Sequence, residues 1–107
     1  MSINFKSNNC IGIKVGDLKK AQKFYGNVMG FKQINGDDKL ISFDTGQFIL
    51  YVEKSDSNQS PVPSFSVSNA DVTKEYLINY GCEIIWETNG CFWFKDPFGN
   101  IFDVIET

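Results

Sequence analysis

The chain has 107 residues, of which 42% are hydrophobic, and its formal net charge is -3 at pH 7. This length predicts one small domain with a single core layer against a sheet. The acidic balance argues against nucleic acid as the main partner, because phosphate binding requires a basic surface. The sequence has no apolar run long enough to span a membrane and no basic-apolar leader. We therefore expect a cytoplasmic protein without a membrane partner.

Histidine is absent from the chain, and the cysteines Cys10, Cys82 and Cys91 form no Cys-x-x-Cys pair. An odd cysteine count without a secretory leader predicts reduced thiols. Without histidine, neither a Ser-His-Asp nor a Cys-His relay can form, and a histidine-bearing metal site is excluded within one chain. The composition therefore disfavours the commonest kinds of catalytic centre.

The first half of the chain predicts a strand, a helix and three more strands. Alternating apolar residues predict the first strand over 9–15, and Asp17 is typical of the N-cap of a helix that Gly30 ends. Asn35-Gly36 is a strong hairpin-turn signal. The later strands of this half are predicted over 31–34, 39–43 and 47–53.

A polar linker is predicted at 54–61, and the same plan then repeats. Asn69 predicts a second N-cap, Gly81 a second helix end, and Asn89-Gly90 a second hairpin turn. The strands of this half are predicted over 63–67, 83–86 and 91–95, with a terminal strand from Asn100. The internal repeat of 1–53 and 62–107 predicts two βαβββ modules within one α+β domain.

The terminal strand carries an acid in an otherwise apolar segment. Phe102 and Val104 share one face, whereas Asp103 shares the other with Ile101 and Ile105. A carboxylate is not buried among apolar residues without a partner. The strand therefore predicts a sheet with one core side and one cavity side.

These motifs resemble those of the vicinal oxygen chelate superfamily, which contains glyoxalases, bleomycin-resistance proteins and extradiol dioxygenases. The resemblance lies in Val15-Gly16-Asp17-Leu18, Ala21, Phe24-Tyr25, Gly30-Phe31 and Asp96-Pro97-Phe98-Gly99-Asn100. It implies paired βαβββ modules that form a curved mixed sheet around a concave cavity, with the helices on the outer face. It also implies a homodimer in which sheets from two chains complete each site.

Enzymes of this superfamily hold a metal ion with four side chains, usually His, Glu or Gln, His and Glu, from the first, fourth, fifth and last strands. The resemblance places these positions at Cys10, Leu50, Val62 and Asp103, with Tyr51 replacing Leu50 if the register differs by one residue. A divalent ion requires several nitrogen or oxygen ligands. We therefore expect neither a metal nor another cofactor at this location.

Without a metal, the same face predicts a pocket with a few polar anchors on an apolar wall, which is typical of a small-molecule site. The candidate ligand-binding residues are Cys10, Lys14, Leu50, Val62, Ser64, Trp86, Trp93 and Asp103. Either tryptophan could pack in the core instead of facing the cavity. Asp103 could pair with Lys14, lie solvated at a rim, or anchor a ligand amine or hydroxyl. Cys10 is more typical of a small buried hydrophobic residue than of a nucleophile.

Three hypotheses for the function follow. The first is a metal-independent small-molecule-binding protein that sequesters a drug. The second is a metal-dependent lyase or dioxygenase of the glyoxalase type with an atypical ligand set, drawn from Glu53, Glu87, Asp103 and Glu106. The third is an antitoxin-like or regulatory protein whose cavity is vestigial. The missing histidine ligands favour a binding protein over an enzyme.

Overall fold

The computed structural model describes residues 3–56 and 59–107, which form an α+β fold. The strands are β1 (Lys6–Val15), β2 (Lys32–Gly36), β3 (Leu40–Asp44), β4 (Ile49–Lys54), β5 (Gln59–Val67), β6 (Glu83–Thr88), β7 (Cys91–Lys95) and β8 (Ile101–Glu106), and the helices are α1 (Leu18–Lys23), continued by a π-helical turn (Phe24–Val28), and α2 (Ala70–Asn79). The predicted α+β class with two βαβββ modules is confirmed. None of the helices in these residues has the length and apolar character of a membrane span.

The chain divides into two compact units. The first, called here the N-terminal module, comprises Asn9–Val62, and its strands have the order β2-β3-β4-β1. The second, called the C-terminal module, comprises Pro63–Thr107 and the described residues up to Asn8, and its strands have the order β5-β8-β7-β6. Each module has one parallel pair, β1 with β4 or β5 with β8, and the remaining pairs are antiparallel.

The core of the N-terminal module lies between helix α1 and one face of its strands. The Asp17 carboxylate accepts a hydrogen bond from the backbone N–H of Lys20 and caps the helix, as the sequence predicts. The buried core residues are Leu18, Ala21, Ile41, Phe43, Leu50 and Val52. Alternation along β3 and β4 sends the intervening side chains to the face opposite the helix.

The C-terminal module has the same construction. The Asn69 side chain accepts a hydrogen bond from the N–H of Val72, which confirms the second predicted cap. The buried core residues are Val67, Ala70, Leu77, Phe92, Phe94 and Val104. Cys91 and Trp93 alternate with Phe92 and Phe94 along β7, so they lie on the face opposite α2. We call this surface the Asp103 face.

The hairpin turn predicted at Asn35-Gly36 is wrong, because both residues belong to β2. The chain turns after Gly36, where the Asp37 carboxylate accepts hydrogen bonds from the backbone N–H groups of Lys39 and Leu40. These hydrogen bonds lower the pKa of Asp37. An aspartate that binds the backbone of the following residues defines its own turn, and here it displaces the turn by two positions. The turn predicted at Asn89-Gly90 is confirmed, with Gly90 at a φ of 77°.

The strand boundaries differ from the predictions mainly around the linker. Lys54 belongs to β4 and β5 begins at Gln59, so strands occupy both ends of the segment predicted as linker. Positions 57 and 58 of that segment lie outside the described residues. The strand predicted over 9–15 begins earlier, at Lys6, and this extension brings Asn8 into β1.

The turn before the terminal strand is organised by an aspartate. The Asp96 carboxylate accepts hydrogen bonds from the backbone N–H groups of Phe98 and Asn100, each at 2.9 Å. These bonds, with that of Asn100 the stronger influence, lower the pKa of Asp96. Gly99 has a φ of 92°, which a residue with a side chain adopts only under strain. The turn thereby fixes where β8 begins and which of its residues face α2.

Candidate functional site

A single row of side chains crosses the Asp103 face from β6 to β5. Backbone pairing aligns Trp86 with Trp93, Trp93 with Asp103, and Asp103 with Ser64. Residues paired directly across strands project to the same side of a sheet, about 5 Å from one another. The fold therefore brings together four of the residues that the sequence predicts for a ligand site.

The Asp103 carboxylate is held by two donors from neighbouring strands. The Ser64 hydroxyl donates to Oδ2 at 2.6 Å, and the Cys91 thiol donates to Oδ1 with Sγ at 3.3 Å. The Asn8 side-chain amide in turn donates to Ser64 Oγ at 2.6 Å. Since a hydroxyl that donates can still accept, these contacts form a continuous chain from Asn8 through Ser64 to Asp103. The partner that a carboxylate requires in this environment is therefore supplied by neutral hydrogen-bond donors.

The Cys91 thiol is protonated at neutral pH. Partial burial, the Asp103 charge and the hydrogen bond to Asp103 together raise the pKa of Cys91 to about 11. The Asp103 charge and the hydrogen bond to Asp103 both raise the pKa of Cys91, because a thiolate beside a carboxylate would bring two negative charges together. Cys91 therefore acts as a hydrogen-bond donor, and it lacks the thiolate character that a nucleophile or metal ligand needs.

Both tryptophans lie at the β6 end of the row. Their rings meet edge to face, with centroids 6.2 Å apart and planes at 69°. Trp86 is 50% exposed. The sequence leaves open whether the tryptophans pack in the core or face outward, and the structure places them outside the core. Phe92 and Phe94 fill the core beside them.

The predicted residues Cys10 and Lys14 lie in the N-terminal module on the face opposite α1. Lys14 forms an ion pair with Glu53, with Nζ 3.8 Å from Oε2. Cys10 lies near the phenol of Tyr51. Burial, followed by the effect of the Cys10 side chain, raises the pKa of Tyr51. This face presents a thiol, a phenol and an ion pair.

The prediction that Leu50 faces a ligand site is wrong. Leu50 is buried in the core with Leu18 and Ala21 of α1, and Tyr51 takes the outward position. The error comes from matching the two turn glycines: Ile49, the first paired residue of β4, is three positions after Gly46, but Ile101 of β8 is two positions after Gly99. A slip of one residue moves a side chain to the opposite face of a sheet.

The fifth-strand position, Val62, lies on β5 and is 3% exposed. A buried valine contributes apolar surface and supplies no donor or acceptor to a ligand or metal. Two residues of the network around Asp103, Asn8 and Cys91, are absent from the sequence prediction. Cys91 precedes Trp93 by two positions, so strand alternation would have identified it. Asn8 lay outside the predicted first strand, so alternation along that strand would not have reached it.

The acids that the sequence suggests for an atypical metal site have separate partners. The Glu87 carboxylate lies 2.6 Å from Lys74 Nζ, and Glu106 Oε1 accepts a hydrogen bond from the N–H of Ala70 at 2.8 Å. Asp103 is bound by Ser64 and Cys91 as described above. Within residues 3–56 and 59–107, no three Cys, Asp or Glu side chains cluster as a metal site would require.

No protein-family model and no curated protein sequence matches the chain. Solved structures do resemble it. Homoprotocatechuate 2,3-dioxygenase from Brevibacterium fuscum, in complex with 3,4-dihydroxyphenylacetate, has a TM-score of 0.76 at 18% identity over 98% of this chain. The Mn(II)-bound glyoxalase from Novosphingobium aromaticivorans has a TM-score of 0.71 at 20% identity over 98% of this chain.

This chain spans 37% of the dioxygenase chain and 40% of the glyoxalase chain. At such low identity the likeness establishes the fold and does not extend to ligands or activity. The chain therefore has the fold of the extradiol dioxygenases and glyoxalases, that of the vicinal oxygen chelate superfamily, as its sequence motifs imply.

Proposed function

We propose that this chain is a metal-independent small-molecule-binding protein, related in kind to the drug-sequestering proteins that its motifs resemble. Its ligand binds at the Asp103 face of the C-terminal module. The observation that carries the proposal is the in-register row Trp86, Trp93, Asp103 and Ser64, which sets a fixed carboxylate beside two aromatic rings. A few oriented polar groups on an aromatic wall are typical of small-molecule sites.

The donors around Asp103 determine which ligand groups it can bind. An ionised carboxylate only accepts hydrogen bonds, and its two oxygens offer about four lone-pair positions. Ser64 and Cys91 use one position on each oxygen. The remaining positions accept from an amine or hydroxyl of a ligand, and the indole rings stack on a planar group. We therefore propose a ligand that combines a hydrogen-bond donor with an aromatic ring.

A divalent metal does not fit this donor set. The groups bound to Asp103 are the Ser64 hydroxyl and the Cys91 thiol, and the next group along the network is the Asn8 amide. Mn²⁺ favours several carboxylate, carbonyl or water oxygens, whereas here a single carboxylate is available. The thiol, with a pKa of about 11, would have to lose its proton before it could bind a metal.

Assembly and cellular location belong to the same proposal. Following the resemblance, we propose a cytoplasmic homodimer that binds neither nucleic acid nor a membrane. The net charge of -3 supports the exclusion of nucleic acid. Sedimentation equilibrium measures the dimer directly, and a monomeric mass at micromolar concentration would contradict this part of the proposal.

Thermal shift with a panel of aromatic amines and aromatic antibiotics tests the binding function. We expect at least one compound to raise the melting temperature, and isothermal titration then gives its affinity. Asp103→Asn keeps the shape of the side chain but removes its charge, and should weaken that affinity at least tenfold. The matched control is Asp38→Asn, an exposed aspartate in the loop between β2 and β3, and it should leave the affinity unchanged.

Elemental analysis of the same preparations tests the alternative enzyme. Stoichiometric Mn, Fe, Ni or Zn that disappears in Asp103→Asn would contradict the metal-independent proposal and favour a lyase or dioxygenase with an atypical ligand set. A panel without any thermal shift, or equal affinities for the Asp103 and Asp38 variants, would contradict the ligand site itself.

A further inference from the structure

A second surface of the C-terminal module lies between helix α2 and strand β6, on the side of the sheet opposite Asp103, and Trp86 is the residue that both surfaces share. It is a groove of about 580 Å³. Its lining residues are Asp71, Lys74, Glu75, Ile78, Ile84, Ile85, Trp86 and Glu87. We call it the α2–β6 groove.

The apolar part of this groove is open to solvent. Ile78 on α2 is 55% exposed and Ile85 on β6 is 37% exposed, whereas the Trp86 ring meets Trp93 on the Asp103 face. Large apolar side chains grouped on one surface mark interaction sites more often than isolated ones do. Ile78 from the helical side and Ile84 and Ile85 from the extended side therefore form the apolar floor of the groove.

Strand β6 forms one wall of the groove and is the last strand in the order of its module. Within residues 3–56 and 59–107, it pairs with β7 on one side, and no strand pairs with its other side. The register shifts between Ile84 and Trp86, which marks a bulge at Ile85. An open strand edge is a template to which another extended segment can add.

The rim of the groove is acidic. Asp71, Glu75 and Glu87 supply three carboxylates and Lys74 supplies one ammonium, so the lining has a formal charge of -3 + 1 = -2. Lys74 Nζ lies 2.6 Å from Glu87 and 3.3 Å from Asp71, and the hydrogen bond to Glu87 raises the pKa of Lys74. The one cation is thus already shared by two of the acids, and Glu75 adds a further carboxylate.

We propose that the α2–β6 groove binds an extended, basic-apolar peptide segment of a partner protein, which adds as a strand to the free edge of β6. The backbone edge supplies hydrogen bonds. Successive side chains of the added strand point to opposite faces of the sheet, so the residues on its α2 side meet both the apolar floor and the acidic rim. Basic and apolar residues on that one side therefore match the groove. A second copy of this chain brings the same acidic rim to the contact, and opposing like charges disfavour it. Nucleic acid is repelled for the same reason.

Titration of two synthetic peptides into the isotope-labelled full chain tests this inference. The basic probe is acetyl-Lys-Thr-Ile-Thr-Lys-Thr-Ile-amide, which places its lysines and isoleucines on one face of the added strand, and the acidic control replaces each lysine with glutamate. We expect the basic peptide to shift the amide resonances of β6 and of the facing side of α2, and the acidic peptide to shift none. Raising the salt concentration should weaken binding, because the rim charges are exposed.

The charge reversal Glu87→Lys should weaken binding of the basic peptide at least tenfold. The control Asp38→Lys makes the same change of charge at a position far from Glu87 in the sequence, and it should weaken binding of the basic peptide less than threefold. The amide spectrum of each variant shows whether it is folded. Because Glu87 is not part of the Asp103 row, loss of peptide binding in this variant with retained small-molecule binding separates the two sites.

Three outcomes would overturn the inference. The acidic peptide could bind as well as the basic one, the resonance shifts could map outside α2 and β6, or Glu87→Lys could bind the peptide as tightly as the unmodified chain. Self-association through this groove, seen as β6 shifts that depend on protein concentration without any peptide, would assign the edge to a second copy instead.

Discussion

The two modules share a backbone plan but carry different chemistry on the face opposite their helices. The registers of β1 with β4 and of β5 with β8 make Tyr51 the structural counterpart of Asp103, and Gly12 the counterpart of Ser64. By the same pairing, Ser42 corresponds to Trp93. One row therefore presents a glycine, a phenol and a buried hydroxyl, whereas the other presents a hydroxyl, a carboxylate and an indole.

The helix-facing sides of the two modules differ much less. Val52 corresponds to Val104 and Phe43 to Phe94, and all four side chains are buried. Burial of apolar surface holds each module together, and it requires apolar residues of suitable volume at these positions. The opposite face has no such requirement, so its residue types are set by what that face contacts. The two modules therefore differ in the side chains at equivalent positions of one fold.

The largest expected effect tests the equivalence of the cores. Phe43→Ala and Phe94→Ala each remove a buried ring, and large-to-small changes of this kind cost about 3–5 kcal/mol. We expect both variants to lose unfolding free energy in this range, measured by urea denaturation. A loss below about 1 kcal/mol for either one would show that the cores are not equivalent, and Phe98→Ala, at an 88% exposed ring, is the control.

The next largest effect tests the difference between the opposite faces. Ser64→Ala removes the hydroxyl that joins Asn8 to Asp103, and losing a hydrogen bond to a charged group costs about 1–3 kcal/mol. Its counterpart Gly12→Ser should change the unfolding free energy by less than about 1 kcal/mol. The reason is that a Cβ at Gly12 meets no heavy atom within 4 Å. Equal costs for the two variants would contradict the assignment of the network to one module.

The helix caps should give a smaller and symmetrical effect. Asp17→Ala and Asn69→Ala each leave one backbone N–H of the first helical turn without its partner, at a cost of about 1 kcal/mol. The exchanges Asp17→Asn and Asn69→Asp keep a capping oxygen and should restore most of the stability in thermal melts. Failure of these exchanges to restore it would assign the effect to something other than capping.

The most specific prediction concerns the titration of Cys91. Its pKa in the fold, about 11, is above its ordinary value of 9.0, so the folded state favours the neutral thiol. The stability that this provides is complete below pH 9 and is lost as the pH rises toward 11. Asp103→Asn removes a negative neighbour and should lower the pKa of Cys91.

Alkylation rates measured against pH, in a Cys10→Ser, Cys82→Ser background, report the Cys91 thiolate directly. We expect the midpoint for Asp103→Asn to lie below that for the unmodified Asp103. An unchanged midpoint would show that burial alone sets the pKa, and would weaken the case for a charged Asp103 beside Cys91.

Much of each module can be predicted from local sequence. Strand alternation assigned Phe102 and Val104 to the core side of β8, and the side-chain oxygens of Asp17 and Asn69 marked the starts of the two helices. These predictions succeed because caps and alternation depend on residues close together in the chain. The Asn35-Gly36 turn failed because the neighbouring Asp37 makes a competing turn with its own hydrogen bonds.

Composition and local pattern alone determined that this chain has two βαβββ modules, no histidine, and an acid on the outward side of its last strand. Tertiary structure decided which residues bind that acid: Ser64 and Cys91 donate to Asp103 from two other strands, and Asn8 donates to Ser64 from a third. It also decided that Tyr51 and not Leu50 faces outward. The physical reason is that sheet register depends on turn geometry and on pairing between distant segments, and a shift of one residue reverses the face of every side chain in a strand.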